Sequence, residues 1–423
     1  MSKIAVIGTG YVGLTTSIGL ASLGHKVIGF DIDPTKIEKL KNEELPIHEP
    51  GLTEMLIQAK SDGNLLFSTD LEESVKDADF VFTCVPTPQD EDGSADLSYV
   101  ISASDSIKHH LKSGAIVVTK STVPVGSAQR VELTLNRNDV HVVSNPEFLR
   151  EGSAVADFKY PDRIVVGAKS ELIGQKVMDL YQKIECPKII TSQSSAELIK
   201  YASNSFLAIK LSFVNDIAAL CELADADAMQ VMEGIGLDSR IGNKFLNPGP
   251  GWGGSCFPKD TRALASISND FGIQMPLIDA ALESNEKAHK RVADRVMNAL
   301  GGSLVGTSIG VLGMTFKADT DDTRESPAIA VIERLIGRGA KVKAFDPLIR
   351  SYSLTGLEVV DSALDAARDV DALLVLTEWN EFKDLSPQDL LTVMRKNFVV
   401  DTRNLLDKKS WMDAGARFPS LKA

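Results

Sequence analysis

Short apolar runs alternate with longer amphipathic stretches over residues 1 to about 190. The runs lack polar alternation, so each predicts a strand that is buried on both faces of a parallel sheet. The stretches between them predict helices that return the chain to the start of the next strand. This rhythm predicts a doubly wound α/β domain. The predicted strands span residues 4–7, 26–30, 80–85, 115–119, 140–144 and 163–166.

The pattern changes at residue 194, because Ala, Leu, Ile, Lys and Glu dominate up to residue 233 and the next glycine is Gly234. This composition favours one or more long helices. By analogy with other nucleotide-binding proteins, such a helix is expected to form a spine between domains and to dimerise. Residues 234–260 form a loop rich in Gly and Pro, and a loop of this length indicates a function. Helical patterning then resumes from residue 260 to about 300.

The last third of the chain shows a weaker form of the same alternation of predicted strands and helices. Apolar runs at 308–313, 341–346, 371–377 and 398–401 predict strands, and residues 327–336 predict a helix. Asp346 ends the second of these runs, much as Asp31 ends the second run of the first domain. We therefore expect two Rossmann-like doubly wound domains joined by a central helical region. The expected domain boundaries are 1–193, 194–300 and 301–423.

The bulk composition narrows the class of protein. The chain has 423 residues, 43% hydrophobic and 24% charged, with a formal net charge of −13. This charge argues against a nucleic-acid surface or an anionic membrane as partner, but an anionic small molecule remains possible because local donors decide its binding. No apolar stretch approaches the roughly 20 residues that cross a bilayer. The sequence shows no secretory leader, so we expect a cytoplasmic protein.

Four cysteines are present, and their spacing contains neither a CxxC pair nor a zinc-ligand pattern. We therefore expect reduced thiols and no bound metal. Cys84 and Cys221 lie in apolar contexts typical of inert core thiols, and Cys186 offers no mechanism. Cys256 differs from the others because it lies among glycines.

A dinucleotide-binding fingerprint opens the chain. Gly8, Gly10 and Gly13 follow a predicted strand and begin a helix, as binding of a pyrophosphate at a helix N-terminus requires. Asp31 ends the second strand, where an acid bonds the adenosine ribose. No cation follows before Lys36, so the pattern favours NAD over NADP. A glycine turn that binds nothing is the alternative.

Two pairs of polar residues are four positions apart. Lys200 and Asn204 would share one helix face, either as a solvated polar stripe or as donors to a polarised oxygen. Glu147 and Glu151 follow a predicted strand at the sheet edge where ligands bind in open α/β folds. Each pair is weak evidence alone.

Cys256 is the most informative candidate. If a helix begins near it, the positive end of the helix would stabilise the thiolate, and Lys259 could assist. A thiol beside a nicotinamide can add to an aldehyde, and the thiohemiacetal can be oxidised to a thioester. The residues therefore suggest oxidation of an alcohol to an acid, with a purely structural cysteine as the alternative. Asp260 lies four positions further on.

A dense charge cluster occupies residues 316–327. A solvated turn is the default interpretation of such a run. Two cations between a strand and a helix could equally bind a diphosphate.

Together these motifs are similar to those of the UDP-glucose/GDP-mannose dehydrogenases over essentially the whole chain. The resemblance rests on residues 8–13, 121–126, 145–151, 251–260 and 316–327, together with Lys200 and Asn204. It implies NAD as cofactor and a four-electron oxidation of a nucleotide sugar, in which Cys256 holds the oxidised carbon. The run 253–260 looks closer to the branch that converts UDP-glucose to UDP-glucuronate.

The resemblance also implies roles for individual residues. The implied catalytic residues are Cys256, Lys200, Asn204, Asp260, Glu147 and Thr122. The implied cofactor-binding residues are Gly8, Gly10, Tyr11, Val12, Gly13, Asp31, Lys36, Thr87, Thr122, Glu151, Lys259 and Arg324. The implied substrate-binding residues are Glu147, Phe148, Leu149, Arg150, Glu151, Lys200, Asn204, Arg240, Phe245, Leu246, Asn247, Pro248, Gly249, Gly253 and Lys317. Arg240 matches a family arginine that reaches the partner subunit's substrate, which implies a homodimer.

Three other interpretations remain. The sugar nucleotide could be GDP-mannose or a UDP-N-acetyl-amino sugar. A two-electron β-hydroxyacid dehydrogenase would leave Cys256 and the 316–327 cluster without a role. A non-catalytic protein that binds NAD and a nucleotide sugar would not need Cys256, Lys200, Asn204 and Asp260 together.

Overall fold

A computed structural model describes residues 1–90 and 93–420. These residues form two compact units. Unit 1 consists of Met1–Ser203 and Arg262–Ile273, and unit 2 of Asn204–Thr261 and Gln274–Ala423. Each unit contains its own β-sheet.

The sheet of unit 1 has eight strands in the order β3-β2-β1-β4-β5-β6-β7-β8. All neighbours pair in parallel except β6 and β7, which are antiparallel. The strands are β1 (Lys3–Ile7), β2 (Lys26–Phe30), β3 (Leu65–Ser68), β4 (Phe80–Thr83), β5 (Ile116–Thr119), β6 (His141–Ser144), β7 (Ile164–Ala168) and β8 (Lys188–Thr191).

The helices of unit 1 flank this sheet. The first of them, α1, is buried along most of its length and packs into the main core cluster through Leu14 and Ile18. The helices are α1 (Tyr11–Ser22), α2 (Pro34–Lys41), α3 (Leu52–Ser61), α4 (Leu71–Val75), α5 (Ser98–Ile107), α6 (Ser127–Leu135), α7 (Ala154–Lys159) and α8 (Glu171–Met178), with a 3-10 turn at Asp179–Tyr181.

Two strands of unit 1, β3 and β8, are absent from the sequence-based prediction. Both lie at the edges of the sheet. Their apolar runs are short, with three residues (Leu65, Leu66 and Phe67) in β3 and two (Ile189 and Ile190) in β8. Leu66 and Ile189 are 63% and 43% exposed, as is typical of an edge strand.

The chain passes from unit 1 to unit 2 within α9 (Gln193–Leu223), the long central helix that the composition predicts. A second helix, α10 (Ala228–Gly236), follows with Asp227 as its N-cap. The pattern predicted as helical over 260–300 forms two helices, α11 (Phe257–Asp270) and α12 (Pro276–Ala299). They are separate because Gly272 has a φ of 71° and Pro276 begins a new helix.

The sheet of unit 2 has five parallel strands in the order β11-β10-β9-β12-β13. They are β9 (Ser308–Leu312), β10 (Lys341–Phe345), β11 (Leu357–Val359), β12 (Ala372–Val375) and β13 (Phe398–Asp401). The short edge strand β11 is also absent from the prediction. The remaining helices are α13 (Pro327–Gly337), α14 (Ala363–Ala367), α15 (Pro387–Val393) and α16 (Lys408–Asp413), with a 3-10 turn at Asn380–Asp384.

The predicted fold class, two Rossmann-like doubly wound domains joined by a helical region, is confirmed. Among the described residues, no helix combines the length and apolar character needed to cross a bilayer. Residues 1–90 and 93–420 also contain no cluster of His, Cys, Asp and Glu side chains that could hold a metal ion.

Candidate active site

The turn between β1 and α1 requires its glycines. Gly8 has a φ of 94°, and a Cβ there would lie 2.7 Å from the Cys84 carbonyl oxygen. A Cβ on Gly13 would lie 1.8 Å from the Gly8 carbonyl oxygen. Around Gly10, in contrast, a Cβ would have nothing within 4 Å. The backbone is therefore closely packed behind the turn and open in front of the N-terminus of α1, where a phosphate would bind.

Asp31 lies at the carboxyl end of β2, facing this turn. Its carboxylate accepts hydrogen bonds from the Thr9 backbone N–H at 2.9 Å and the Thr9 hydroxyl at 2.8 Å, and pairs with the Lys36 ammonium at 3.1 Å. Burial alone would raise the pKa of Asp31, but these donors outweigh it and lower the pKa. Asp31 is thus an ionised acceptor, and the next residue, Ile32, is 85% exposed.

The corresponding acid of unit 2 has a different environment. Asp346 follows β10 and is fully buried. It accepts hydrogen bonds from the backbone N–H of Met314 and Thr315 and from the indole N–H of Trp379. Because its acceptor capacity is used within the fold, Asp346 is less suited than Asp31 to bind a ribose.

A buried carboxylate connects the start of α1 to the loop that follows β6. Glu49 is 5% exposed and accepts hydrogen bonds from the Tyr11 hydroxyl, the Gly152 N–H at 2.7 Å and the Ala154 N–H at 2.8 Å. Burial and the negative charge of Glu49 raise the pKa of Tyr11, so its phenol stays protonated. Glu49 is not among the sequence-predicted residues, because its partners are far away in sequence.

The next feature is a buried ion pair. Lys120 follows β5 and Glu147 follows β6, and the Lys120 ammonium lies 2.8 Å from the Glu147 carboxylate. The Lys120 side chain is 5% exposed and that of Glu147 15%. Burial would lower the pKa of Lys120, but Glu147 and the groups around it together outweigh burial and raise the pKa. Glu147 also accepts hydrogen bonds from the backbone N–H of Phe148 and Leu149.

Two further titratable side chains face this pair. The Tyr181 ring lies 5.9 Å from the Lys120 ammonium, and burial raises the pKa of Tyr181 to about 12. Burial also raises the pKa of Cys84 to about 12, and Lys120 and Glu147 act on it electrostatically. Both groups are therefore protonated at neutral pH, and the cluster holds one cation and one anion.

Two cations of unit 1 approach the Phe148 ring. The Arg163 guanidinium is 3.7 Å from the Phe148 ring centroid, and the Lys200 ammonium is 5.5 Å from it. Lys200 is 6% exposed. The neighbouring Arg150 pairs with Asp157 through its guanidinium and donates to the same carboxylate through its backbone N–H.

The remaining expected residues of unit 1 are Thr87, Thr122, Val12, Leu149 and Glu151. Thr87 and Thr122 follow the carboxyl ends of β4 and β5, which are neighbouring strands of the same sheet. Val12, Leu149 and Glu151 are partly buried. Unit 1 thus brings those expected cofactor residues that it contains, and the Glu147–Glu151 loop, to one edge of its sheet; Lys259 and Arg324 belong to unit 2.

Unit 2 contains the cysteine and its neighbours. Cys256 is exposed and immediately precedes α11, as expected. Asp260 is 1% exposed and accepts hydrogen bonds from the Asn204 amide at 2.6 Å and the Lys259 ammonium at 2.7 Å. Its backbone N–H donates to the Cys256 carbonyl at 2.8 Å. Asn204 lies one helical turn after Lys200 in α9.

The loop before Cys256 is tightly packed. A Cβ on Gly253 would lie 1.9 Å from the Glu325 carbonyl oxygen, and one on Gly249 would lie 2.8 Å from the Arg403 guanidinium. Phe245 and Glu325 have φ values of 60° and 45° although neither is glycine. Such strained residues persist where the surrounding structure holds them, often at binding sites. The remaining expected residues of this loop are Leu246 and Pro248, which are buried, and Asn247, which is exposed.

The cations of the 316–327 cluster have definite partners. The Lys317 ammonium lies 5.6 Å from the Phe316 ring, and the Arg324 guanidinium forms a two-point pair with Asp322 at 2.8 and 2.7 Å. Arg240 forms a similar pair with Asp238, and its side chain is 87% exposed.

Three functional candidates are missing from the sequence-based prediction: Lys120, Glu49 and Arg403. Arg403 follows β13, contacts the Phe316 carbonyl at 3.2 Å and pairs with Glu378 at 3.0 Å. Lys120 and Arg403 each follow the carboxyl end of an apolar strand, and this position is a signal that could have identified them. Glu49 carries no comparable local signal.

Family models match the chain in three consecutive parts. All describe the UDP-glucose/GDP-mannose dehydrogenase family: its NAD binding domain matches residues 2–185, its central domain residues 194–287 and its UDP binding domain residues 310–408. The three matches follow one another along the chain without overlap.

Individual proteins are similar over the same length. The UDP-glucose 6-dehydrogenase of Rhizobium meliloti (strain 1021) is 44% identical, with 99% of each chain covered. UDP-glucose 6-dehydrogenase TuaD of Bacillus subtilis (strain 168) is 42% identical, over 100% of this chain and 93% of that protein. The solved structure of a UDP-glucose dehydrogenase from the hyperthermophilic archaeon Pyrobaculum islandicum matches with a TM-score of 0.92 at 38% identity, covering 99% of this chain and 96% of that one.

Proposed function

Because the chain belongs to the UDP-glucose/GDP-mannose dehydrogenase family, we propose that it oxidises UDP-glucose to UDP-glucuronate with NAD. The observation that carries this proposal is the exposed Cys256 at the start of α11, beside the buried Asn204–Asp260 pair. A dehydrogenase that stops at an aldehyde or ketone has no use for such a thiol.

The reaction consists of two oxidations and one hydrolysis. The primary alcohol is oxidised to an aldehyde, and the Cys256 sulfur adds to the aldehyde carbon while its oxygen takes up a proton. Oxidation of this thiohemiacetal gives a thioester, and water cleaves the carbon–sulfur bond to release the carboxylate and the thiol. NAD, when bound, accepts one hydride in each oxidation, so one sugar and one water yield one acid, two NADH and three protons.

Lys200 and Asn204 would stabilise the oxyanion that develops at each stage. One is a cation and the other an amide, and both are buried, which strengthens their interaction with a negative charge. Asp260 holds the Asn204 amide by a 2.6 Å hydrogen bond and would take part in proton transfer. Removing one oxyanion donor typically costs about 2.7–4 kcal/mol of transition-state stabilisation.

Glu147 and Thr122 would position the water that cleaves the thioester. Glu147 has one carboxylate oxygen on the Lys120 ammonium and the other on two backbone N–H groups. This fixed orientation suits a residue that aligns water, because its position is set before the substrate arrives.

NAD would bind at the edge of unit 1 that carries the glycine turn. The open space at Gly10 leaves room for a pyrophosphate, Asp31 is an ionised acceptor for ribose hydroxyls, and the exposed Ile32 offers an apolar surface to adenine. Lys36 pairs with Asp31 and would assist there. Further residues proposed to contact the cofactor are Tyr11, Val12, Thr87, Thr122, Glu151, Lys259 and Arg324.

The nucleotide sugar would bind through charged, aromatic and backbone groups. Phe148–Glu151 of unit 1 are proposed contacts. In unit 2 the proposed contacts are Lys317 and the loop formed by Phe245, Leu246, Asn247, Pro248, Gly249 and Gly253. Arg403 lies against Gly249 and contacts the Phe316 carbonyl, so we add it as a further cation for the diphosphate.

We also propose a homodimer. Phe206, Phe213 and Leu220 recur at intervals of seven residues along α9 and are 66%, 54% and 58% exposed. A stripe of this kind is a typical helix-pairing surface. Lys210 on the same helix donates to the Ile241 carbonyl and so holds the loop that carries the exposed Arg240 near the stripe. A second copy seated on α9 would then receive Arg240 in its substrate site.

We further propose that the enzyme acts in a reducing compartment such as the cytoplasm, because Cys256 works only as a reduced thiol. A division into an NAD-binding part (1–193), a central part for dimerisation and the cysteine loop (194–300) and a UDP-sugar-binding part (301–423) agrees with the order of the family matches.

The test is the number of NADH molecules formed per molecule of limiting UDP-glucose, measured by absorbance. We expect two for the wild type and no UDP-glucuronate from Cys256→Ser. One NADH per sugar, or full turnover by Cys256→Ser, would refute the proposed role of the thiol. Activity with GDP-mannose or a UDP-N-acetyl-amino sugar, and none with UDP-glucose, would reassign the substrate.

A further inference from the structure

The Cys256 thiol is positioned mainly through its backbone. Its sulfur is exposed, and its side chain contacts the Ser255 hydroxyl at 3.5 Å, an immediate neighbour in the chain. On the C-terminal side the Asp260 N–H closes the first turn of α11 on the Cys256 carbonyl.

On the N-terminal side, one amide side chain holds the backbone. Asn285 in α12 accepts a hydrogen bond from the Trp252 N–H at 2.8 Å and donates one to the Trp252 carbonyl at 2.9 Å. Asn285 is 8% exposed and Trp252 4%. An amide that satisfies both backbone groups of one buried residue fixes its position and its direction.

The Trp252 side chain is held as well. Its indole N–H donates to the Ser212 hydroxyl at 2.8 Å, and this hydroxyl donates to the Ala281 carbonyl of α12 at 2.9 Å. Trp252 is thus fixed by α9 and α12 together.

The neighbouring glycine fits only this arrangement. Gly251 has a φ of 138°, and a Cβ there would lie 2.4 Å from His289, one turn after Asn285 on α12. The backbone therefore lies directly against α12 at the point where Asn285 engages it.

We propose that Asn285 is a positioning residue for Cys256, and that its two bonds to Trp252 set where the thiol meets the aldehyde. This inference rests on the proposed function. Asn285 touches neither substrate nor cofactor in this role; it acts through the chain segment between Trp252 and Cys256.

The consequence is specific to one half of the reaction. Oxidation of the alcohol does not use the thiol, whereas capture of the aldehyde and its second oxidation do. A displacement of a reacting group by about 1 Å can slow its step about 100-fold. Loss of the Asn285 bonds should therefore slow the second oxidation and leave the first near its normal rate.

The experiment compares Asn285→Ala and Asn285→Asp with Asn298→Ala, an exposed asparagine further along α12. The Asp variant keeps an acceptor for the Trp252 N–H and loses the donor to its carbonyl. Single-turnover kinetics with UDP-glucose and a hydrazine trap for the aldehyde would separate the two oxidations. We expect both Asn285 variants to give close to one NADH per sugar with the trap present, while the wild type and Asn298→Ala give two.

Hydrogen exchange supplies a measurement that needs no substrate. The amides of residues 249–256 should exchange about tenfold faster or more in the Asn285 variants, because the anchor of this segment is gone. The inference would be overturned if exchange became faster while the ratio of the two oxidation rates stayed at its wild-type value. It would also be overturned if both oxidations slowed equally. Fewer than two NADH from the wild type would instead count against the proposed function.

Discussion

The Lys120–Glu147 pair allows a quantitative prediction. In Lys120→Met the Glu147 carboxylate loses its cation but remains largely buried, since only 15% of the side chain is exposed. The nearby Tyr181 and Cys84 are protonated and provide no replacement charge. Removing one partner of a buried pair typically costs about 3–5 kcal/mol.

This loss of stability should lower the melting temperature measurably. For a unit of about 200 residues, each kcal/mol lowers the melting temperature by about 2–4 °C, so we expect a decrease of roughly 6–20 °C. The control is Lys112→Met, because the Lys112–Asp79 pair is 38% and 43% exposed and should contribute less than about 1 kcal/mol. Differential scanning fluorimetry of the wild type and both variants would measure the difference. A melting temperature for Lys120→Met that matches that of the Lys112→Met control would refute the reasoning.

Two further predictions concern the glycine turn and a buried histidine. Gly10→Ala should keep the wild-type urea midpoint but bind NADH more weakly in a fluorescence titration. Gly13→Ala should lower the urea midpoint and weaken NADH binding, because its Cβ meets the Gly8 carbonyl. Equal losses of stability in the two variants would contradict this. Burial, aided by Arg334, lowers the pKa of His289 to about 4. The unfolded chain then binds a proton at higher pH than the folded one, so His289 should remove roughly 3 kcal/mol of stability as the pH falls from about 6.5 to about 4. His289→Leu should flatten that slope in urea titrations, and an unchanged slope would show that another group is responsible.

The sequence predicts those strands whose two faces are both buried. β1, β4 and β5 lie within the sheet, and their continuous apolar runs identify them directly. β3, β8 and β11 lie at sheet edges and carry only short apolar stretches: three residues in β3, two in β8, and in β11 two that are separated by Glu358. The break between α11 and α12 depends on Gly272 and Pro276, which a purely hydrophobic pattern does not register.

The site residues also fall into two groups, those with a local sequence signal and those without one. Motif residues such as Gly13, Asp31 and Cys256 carry a local signal, because the chemistry demands a residue type at a fixed distance from a strand or helix end. Glu49 carries none: its partners, Tyr11 and Gly152, are 38 and 103 residues away. Contacts of this kind arise only when the fold brings distant segments together.

The Tyr11–Glu49 contact has a consequence for how relatives of this chain diverge. A lineage that replaced Tyr11 by phenylalanine would leave a buried carboxylate short of one donor, at a cost of about 1–3 kcal/mol. Replacing Glu49 by glutamine alone would turn an amide N–H₂ toward the N–H of Gly152 or Ala154, or toward the Tyr11 hydroxyl. A change at either position alters what the other must supply, so positions 11 and 49 should covary across the family. The glycines of the neighbouring turn, whose constraints come from the backbone, should stay invariant.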